Sequence, residues 1–510
     1  MGVRRPAAAV TILEMLSPAA RRDLERQVGA ANLLTRPADL AAYAFDAFGA
    51  SGERRLPDAV VLPATTEEVS GVVRVCAGQG LPVVPRGAGT GYAAGAVARH
   101  GGVILNLCRM SRILELDADR GRLRAEAGTV TAAIHRRAAA AGLHYPPDPG
   151  ASSTSTIGGN VACNAAGPHA FRYGTTADFL VGATVVLGDG RIVRTGEGGD
   201  PSPLLALLAG SEGTLAVITE VALRLLPAPA GRATLAAPFA GLEPAFGAVS
   251  AIAAAGIVPA ALEFLDASAL EAVARTGLVA APPGMALVLV EVEGEEAAVR
   301  AESEAAAGAL HAAGAARVER AADAAGAARL WEVRKAVSAA VATVMVGKIN
   351  EDVVVPRDRI AELAARTQAI GTRRELPVVN FGHLGDGNLH VTFLIDPRRP
   401  GERERGDAAA SDLFESVLGM GGSLSGEHGV GTTKLAYAER QLGREGLRLM
   451  RRIKQLYDPA GLLNPGIKLP EPSSGPPGTT APGEPPSAWA GRGGSPDQLS
   501  SPAAASSDPA

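Results

Sequence analysis

The sequence predicts an α+β fold with more than one domain, and three observations support this prediction. The chain has 510 residues, which exceeds the usual size of a single domain. From residue 58 onward, short apolar runs of strand length alternate with helical stretches such as Thr66–Gly78 and Val130–Ala141. From about residue 230, two long Ala-rich helical patterns (243–255 and 295–314) accompany a second set of strands.

The elements follow in order along the chain. Residues 12–50 predict short helices, with Ser17–Pro18 as a helix start. The first region then contains apolar strand runs at Ala59–Leu62, Pro82–Pro85, Gly102–Asn106, Leu123–Ala125, Val181–Leu187, Arg191–Thr195 and Leu215–Leu226. The second region predicts strands near 259–265, 285–293, 350–355, 376–383 and 388–395. Helices on one face of an antiparallel sheet would account for the order of helices and strands in this second region.

Composition and charge exclude several classes of function. Lys and Arg number 49 against 53 Asp and Glu, so no basic excess is available to bind nucleic acid. The cysteines Cys76, Cys108 and Cys163 are far apart, which excludes a disulfide framework and a Cys-ligated zinc or iron–sulfur centre within the chain. The N-terminus makes a poor signal peptide, and no run is apolar enough to cross a bilayer. We therefore expect a cytoplasmic protein, with peripheral membrane association only through a partner.

The C-terminal segment 471–510 has a different composition from the rest of the chain. Its 40 residues include 9 Pro, 6 Gly and 8 Ser. Such a segment buries too little apolar surface to offset its conformational entropy. We predict that this tail is disordered and that it has no role in the fold.

Four glycine-rich segments indicate a bound phosphate. In Val84–Ala96, alternating glycines after a strand free successive N–H groups for an anion, although a simple glycine turn is the alternative reading. The segment is neither a Walker A loop nor a clean Rossmann fingerprint. Pro147–Gly167 adds hydroxyls, paired glycines and Asn amides, which suit a pyrophosphate and a polar heterocycle. Gly210–Glu220 and Asp458–Lys468 complete the set.

In this order, the four segments resemble the FAD-linked oxidase family with the vanillyl-alcohol oxidase/para-cresol methylhydroxylase fold. Within it, the chain is similar to the D-2-hydroxyacid dehydrogenase branch of glycolate oxidase FAD subunits and D-lactate dehydrogenases. The resemblance covers about residues 35–469. It implies FAD bound by Pro85, Arg86, Gly87, Ala88, Gly89, Thr90, Gly91, Pro149, Ser152, Thr156, Gly158, Gly159, Asn160, Asn164, Ala165, Gly167, Ile218 and Asn464. Thr90 stands where many relatives carry a flavin-linked His, so the FAD is expected to be non-covalent.

The resemblance also sets the expected domains. A helical segment over 1–49 precedes an FAD-binding domain over 50–228 and an α/β cap domain of antiparallel sheet and helices over 229–424. Residues 425–470 are expected to return to the FAD domain, and 471–510 form the tail. The full fold prediction is therefore a two-domain FAD-binding fold of the para-cresol methylhydroxylase type.

Two histidines flank a predicted turn in Pro377–Leu394. Asp386–Gly387 is a strong two-residue hairpin signal, and such a loop would place His383 directly opposite His390, with Cβ atoms ~5 Å apart. Asn388 shares that face and is a further catalytic candidate. The spacing alone leaves two readings open, which are a divalent metal site and a structural His pair.

The family pattern assigns roles to several later residues. It implies His383, His390 and Glu427 as metal ligands, with zinc or manganese as the ion, and His428 as the catalytic base. Arg334 matches the arginine that anchors the substrate carboxylate, and Lys348 matches a lysine that assists it. A solvent-exposed helix arginine is the alternative reading for Arg334 taken by itself.

The expected function is FAD-dependent oxidation of a small D-2-hydroxyacid, D-lactate or glycolate, to its 2-oxoacid. Hydride would pass to flavin N5, with metal-assisted deprotonation of the hydroxyl. One alternative is a D-2-hydroxyglutarate-type dehydrogenase on the same fold. Another is a non-catalytic flavin subunit of a larger glycolate oxidase complex. The expected partners are the hydroxyacid and an external electron acceptor or iron–sulfur subunit, and a homo-oligomer is expected.

Overall fold

A computed structural model describes residues 16–48, 55–196 and 202–470 of the protein. The predictions for residues 1–15 and for the tail 471–510 lie outside the described residues. Within the described ranges, helices alternate with largely antiparallel sheets, which confirms the predicted α+β class.

The first region extends to residue 228. Its strands are β1 (Leu33–Leu34), β2 (Ala59–Val61), β3 (Val83–Arg86), β4 (Val103–Asn106), β5 (Ile113–Asp117), β6 (Arg122–Glu126), β7 (Leu143–His144), β8 (Leu180–Val186), β9 (Ile192–Thr195), β10 (Val217–Arg224) and β11 (Leu226–Pro227). Its helices are α1 (Pro18–Val28), α2 (Pro37–Leu40), α3 (Thr66–Gln79), α4 (Thr131–Ala139), α5 (Ile157–Cys163), α6 (Ala170–Tyr173), α7 (Thr176–Phe179) and α8 (Pro203–Leu208). As predicted, Ser17 caps α1, and its hydroxyl accepts a hydrogen bond from Ala20 N at 3.1 Å.

Two sheets share the core of this region. The smaller sheet has the order β1-β2-β4-β3, in which β2, β4 and β3 run parallel. The larger is antiparallel, with the order β5-β6-β10-β8-β9. Helix α3 carries buried Val69, Val72 and Val73 into the apolar cluster between them. Strand β3 ends at Arg86, so the glycine-rich segment leaves the edge of the parallel sheet.

The second region contains a larger sheet and longer helices. Its strands are β12 (Gly231–Phe239), β13 (Ala261–Leu265), β14 (Ala286–Gly294), β15 (Glu319–Arg320), β16 (Gly347–Val354), β17 (Val378–His383) and β18 (Asn388–Ile395). Its helices are α9 (Leu242–Ala254), α10 (Ala267–Ala274), α11 (Glu296–Ala312), α12 (Ala324–Lys335), α13 (Val337–Val344), α14 (Ile360–Arg374), α15 (Glu402–Gly419) and α16 (Ala438–Tyr457). The sequence patterns did not predict β12, whose Gly, Ala and Pro residues have low strand propensity.

The seven strands form one sheet, in the order β15-β12-β14-β13-β17-β18-β16, and helices cover both of its faces. The prediction of helices on one face is therefore wrong. Helices α9, α11, α14 and α15 pack on one face, whereas α10, α12 and α13 pack on the other. The physical reason is that β13, β14 and β18 are buried along nearly their whole length, so both sets of alternating side chains need cover.

The hairpin of β17 and β18 differs from its predicted register. His383 pairs with Asn388, and Phe381 pairs with His390, so the turn spans residues 384–387 rather than two residues. Gly387 takes φ +79° in this turn, a conformation that favours glycine. Because the register moves by two residues, each side chain keeps its face. His383 and His390 therefore share a face, as predicted, but they are diagonal neighbours.

The last described segment returns to the first region. Leu463 bridges Val83 in a parallel arrangement, and Asn464 N donates to Val83 O at 2.8 Å. Among the helices of the described ranges, none has the length and hydropathy that crossing a membrane requires.

Candidate active site

A cavity of about 340 Å³ lies between the glycine-rich segments and the second sheet. Most of the predicted site residues line it: Pro85, Arg86, Gly87, Ala88, Gly89, Thr90, Gly91, Pro149, Thr156, Gly158, Gly159, Asn160, Ala165, Ile218, Arg334, His383, His390, Glu427 and His428. Six others do not line it: Ser152, Asn164, Gly167, Asn464, Lys348 and Asn388. The long cavity thus joins the predicted cofactor segments to the predicted catalytic residues.

The glycine-rich segment after β3 is held from beneath by Arg86. The guanidinium donates to Ala96 O at 3.0 Å and lies over the ring of Tyr43, 5.5 Å from its centroid. Gly89 has φ +72°, and a Cβ there would clash with the Arg86 guanidinium. Arg86 therefore organises the loop, and its Nη1 hydrogen bond is directed to the backbone.

The space above this segment fits a phosphate-containing cofactor. A Cβ at Gly91, Gly95 or Gly150 would meet no protein atom within 4 Å, so side chains there would take up room that the glycines leave open. All three glycines line the cavity. The Arg86 guanidinium donates to the loop, and the backbone N–H groups of the glycine-rich segment are candidate donors for a pyrophosphate at this point.

The second predicted cofactor segment is used partly for structure. Asn160 donates from Nδ2 to Thr131 Oγ1 at 2.7 Å, and Asn164 accepts from Ala177 N at 2.8 Å. Gly167 has φ +113°, and a Cβ there would clash with Asp148 O. Asn164 and Gly167 therefore shape the segment from behind the cavity wall, although the sequence interpretation placed them on the cofactor.

Asn464 joins three chain segments at the cavity's edge. Its Nδ2 donates to Gly95 O at 2.8 Å and to Glu212 O at 2.7 Å, while its buried Oδ1 has no hydrogen-bond partner among the described residues. The Glu212 carboxylate accepts from Val430 N at 3.0 Å and from Gly431 N at 2.7 Å. These contacts tie the glycine-rich segments of the first region to the loop that carries the predicted base.

Three predicted metal ligands converge at the other end of the cavity. His383 Nε2 lies 3.4 Å from His390 Nε2 and 3.7 Å from Glu427 Oε1, and His390 Nε2 lies 3.6 Å from the same oxygen. Tetrahedral ligands about 2.1 Å from a zinc ion stand roughly 3.4 Å apart. Within the part of the chain that the structure describes, Glu427 Oε2 is buried without a hydrogen-bond partner. The donor types and their separations fit one divalent ion.

Burial opposes the effect of the neighbouring charges on the pKa of His383 and of Glu427, whereas on His390 it adds to the effect of His428. Burial would lower the pKa of His383, but the carboxylates of Glu263 and Glu427 outweigh it and raise the pKa to about 10. Burial and the neighbouring His428 lower the pKa of His390 to about 3. Burial would raise the pKa of Glu427, but His383 lowers it to about 2. A negative carboxylate and a neutral His390 are both forms that bind a cation, whereas the protonated His383 must give up its Nε2 proton when a cation binds.

Asp352 holds the loop that carries Glu427 and His428. Its Oδ2 accepts from the backbone N–H groups of Gly426, Glu427 and His428 at 2.8, 2.9 and 3.0 Å. Its Oδ1 accepts from Asn388 Nδ2 at 2.6 Å. Burial would raise the pKa of Asp352, but His428 and the other partners hold it well below its usual range. Asn388, predicted as catalytic, thus contacts the organising carboxylate and does not line the cavity.

His428 lies between aromatic rings in the cavity. Its ring stacks on His390 with centroids 5.3 Å apart, and Tyr92 covers it at 5.0 Å. Asp352, His390 and His428 also bring one ligand atom each within 4.8 Å of one another. Because Asp352 already accepts three backbone N–H groups, we assign it to loop structure, which leaves His383, His390 and Glu427 as the candidate ligand set.

Arg334 reaches the cavity from α12 and is largely buried. Its side chain is 12% exposed, its Nε donates to Glu263 Oε2 at 2.6 Å, and its guanidinium lies over the Phe381 ring at 5.0 Å. The reading of Arg334 as a solvent-exposed helix residue is therefore wrong. Lys348 lies on β16, half-buried, and burial lowers its pKa.

The sequence interpretation missed Glu263, Asp352 and Tyr92 as site residues. Glu263 could have been found, because it is a lone carboxylate inside the apolar run Ala261–Leu265. Asp352 had a weaker signal, because Glu351 directly precedes it and Lys348 and Asn350 lie in the same strand. Tyr92 had none, since its contact with His428 spans residues far apart in the sequence.

Comparisons with known proteins agree with this architecture. A family described as "FAD linked oxidases, C-terminal domain" matches residues 228–467, and one described as "FAD binding domain" matches 57–196. Glycolate oxidase subunit GlcD of Bacillus subtilis is 36% identical, over 83% of this chain and 91% of the relative. D-lactate dehydrogenase of Anaerostipes hadrus is 35% identical, over 83% of this chain and 92% of the relative.

Solved structures show the same fold at low identity. p-Cresol methylhydroxylase with substrate bound superimposes with a TM-score of 0.72 at 18% identity, over 89% of this chain and 96% of that chain. Alkyldihydroxyacetonephosphate synthase gives 0.71 at 16% identity, over 88% and 86%. The expected para-cresol methylhydroxylase type of fold is confirmed. The chain belongs to the FAD-linked oxidase family and is an FAD-dependent oxidoreductase.

Proposed function

We propose that the protein oxidises a small D-2-hydroxyacid, D-lactate or glycolate, to the corresponding 2-oxoacid. The observation that supports this most strongly is the position of Arg334, His428 and the ligand set of His383, His390 and Glu427 at one end of a single cavity. A carboxylate anchor, a base and a metal site together match an acid with a hydroxyl group on its second carbon. Relatives named for glycolate and D-lactate support the same class.

Each side chain has a separate task in this proposal. Arg334 binds the substrate carboxylate through its terminal nitrogens, because its Nε is engaged by Glu263. His428 accepts the proton of the 2-hydroxyl. Tyr92, Trp331 and Phe381 line the same cavity and exclude water around the reacting carbon. FAD, when bound, supplies the hydride acceptor. A zinc or manganese ion on the His383 set, when bound, supplies Lewis acidity.

A hydroxydicarboxylate is the second candidate substrate. Lys335 also lines the cavity, immediately after Arg334 in α12, and a second cation is what a second carboxylate would need. Reduction of the flavin by D-2-hydroxyglutarate in preference to D-lactate would favour this candidate.

The acceptor that takes electrons from the reduced flavin is proposed to lie outside this chain. The three cysteines cannot hold an iron–sulfur cluster, so electrons must leave the flavin for a diffusible acceptor or a partner subunit. Two relatives are named as subunits of glycolate oxidase, which supports a partner.

We propose that FAD is held without a covalent bond. Thr90 lines the cavity in the segment where a linking His would stand, and Cys163 is the only cysteine among the lining residues. Burial raises the pKa of the Cys163 thiol to about 12, which keeps it a poor nucleophile. Acid precipitation of the purified protein should therefore release all of the flavin, as measured by absorbance of the supernatant. Flavin that remains in the washed pellet would contradict this proposal.

Arg334→Lys should weaken substrate binding, because an ammonium group cannot replace a planar bidentate contact. We expect KM for the hydroxyacid to rise about tenfold or more, with kcat also lower if the substrate is misplaced. The matched control is Arg329→Lys on the exposed part of the same helix, which should leave both constants unchanged. Equal kinetics in the two variants would remove Arg334 from the substrate site.

Two further variants separate the metal from the base. His390→Ala should lower metal content and activity together while the FAD spectrum stays intact. His428→Ala should keep the metal but lose roughly 10²–10⁴-fold in rate, the usual contribution of a general base. Metal analysis and steady-state kinetics on both variants give the comparison. An active wild type that holds no divalent ion and resists chelators would show that the His pair acts through hydrogen bonds alone.

A further inference from the structure

Glu263 is a buried carboxylate at the centre of the second sheet. It lies on β13, between β14 and β17, and its side chain is 0% exposed. A carboxylate without water must receive hydrogen bonds on both oxygens, or its burial becomes very costly. The groups that hydrogen-bond to Glu263 therefore indicate why a carboxylate is buried there.

Both oxygens of Glu263 contact residues of the proposed site. Oε1 lies 2.5 Å from His383 Nδ1, and Oε2 accepts from Arg334 Nε at 2.6 Å. The first partner is on the neighbouring strand, directly opposite Glu263, and the second is on α12. One rigid group thus contacts both the proposed metal site and the proposed carboxylate anchor.

These contacts fix which atoms remain for a ligand. With Nδ1–H donated to Glu263, Nε2 is the His383 nitrogen left to bind a metal once the metal displaces its proton, and it faces His390 and Glu427. With Nε donated to Glu263, the terminal nitrogens of Arg334 remain for another partner, and the Phe381 ring holds the guanidinium plane. The same carboxylate therefore orients both the His383 ring and the Arg334 guanidinium.

We propose that Glu263 is a positioning residue that couples the metal site to the substrate anchor. This inference rests on the proposed function, because it explains how His383 and Arg334 are oriented toward one ligand. Because the two oxygens belong to one planar group, the spacing between the His383 ring and the Arg334 guanidinium is constrained.

Glu263→Gln tests the coupling, because an amide keeps the shape but has only one acceptor oxygen. Its NH₂ group must face either Arg334 Nε–H or His383. Facing His383, it would favour the tautomer with a proton on Nε2, which cannot bind a metal. The matched control is Glu126→Gln, another buried carboxylate, which is bound by Arg112 in the first region's sheet.

Two measurements are needed, and both start from FAD-loaded protein from which the metal has been stripped; Zn²⁺ is then added back. The first is the Zn²⁺ dissociation constant without substrate, measured by competition with a chromophoric chelator. The second is KM at saturating Zn²⁺ for the 2-hydroxyacid that reduces the wild-type flavin fastest. We expect Glu263→Gln to weaken Zn²⁺ binding about 10–100-fold, the usual effect of losing the partner of a metal-bound histidine. We expect KM to rise about tenfold in the same variant.

Comparison variants separate coupling from damage to the fold. Arg334→Lys should raise KM and change Zn²⁺ affinity less than Glu263→Gln does, because the carboxylate that contacts His383 remains, and Glu126→Gln should change neither quantity. If Glu263→Gln does not fold, Glu263→Asp replaces it. The shorter carboxylate cannot keep both partners, so at least one of the two quantities must worsen.

Three outcomes would overturn the inference in different ways. Zn²⁺ affinity and KM that match the wild type in a Glu263 variant would contradict the coupling. A wild type that binds no Zn²⁺ would overturn the metal assignment and the His383 half of the inference. A wild-type flavin that no 2-hydroxyacid reduces would overturn the proposed function itself, and the two failures are thereby distinguished.

Discussion

Alternation of side chains along the second sheet determines where the candidate catalytic and metal-binding groups can lie. Residues two apart share a face, so His383 on β17, His390 on β18, Asp352 on β16 and Glu263 on β13 all point toward the cavity side. The opposite face is filled by the apolar cluster under α9, α11, α14 and α15. The sheet therefore presents these ionisable groups, whereas the loop at 426–428 supplies Glu427 and His428 and α12 supplies Arg334.

Buried charge on that face is stabilised by pairing. Glu263 lies between His383 and Arg334, and Asp352 accepts three backbone N–H groups from the loop at 426–428. Removing one partner of such a pair leaves an uncompensated buried charge, which is more costly than the loss of one contact. For this reason, conservative changes such as Glu to Gln report on the site better than truncations do.

The sequence predicted much of the fold, because most elements have strong local signals. Helix α3 begins at a Thr cap and ends at a glycine with φ +65°, and its predicted bounds agree closely with the observed ones. The face shared by His383 and His390 was also predictable, since it depends only on strand periodicity. The turn length was not, because Asp386–Gly387 indicates a turn but does not fix how many residues it contains.

The contacts between distant segments were beyond the sequence. No local pattern indicates that Glu212 binds Val430 and Gly431, or that Tyr92 covers His428. The coverage of both sheet faces was missed because an apolar strand run does not tell which side a helix will occupy. Site residues with a family motif could be named from the sequence, whereas those that position them required the fold.

The most direct test of the central claim is anaerobic reduction of the bound flavin by a panel of D- and L-2-hydroxyacids and glycolate. Loss of flavin absorbance measures hydride transfer without any assumption about the later electron acceptor. The account predicts rapid bleaching by D-lactate or glycolate and none by L-lactate. A flavin that stays oxidised with every D-2-hydroxyacid and with glycolate, in protein that retains its metal and FAD, would contradict it.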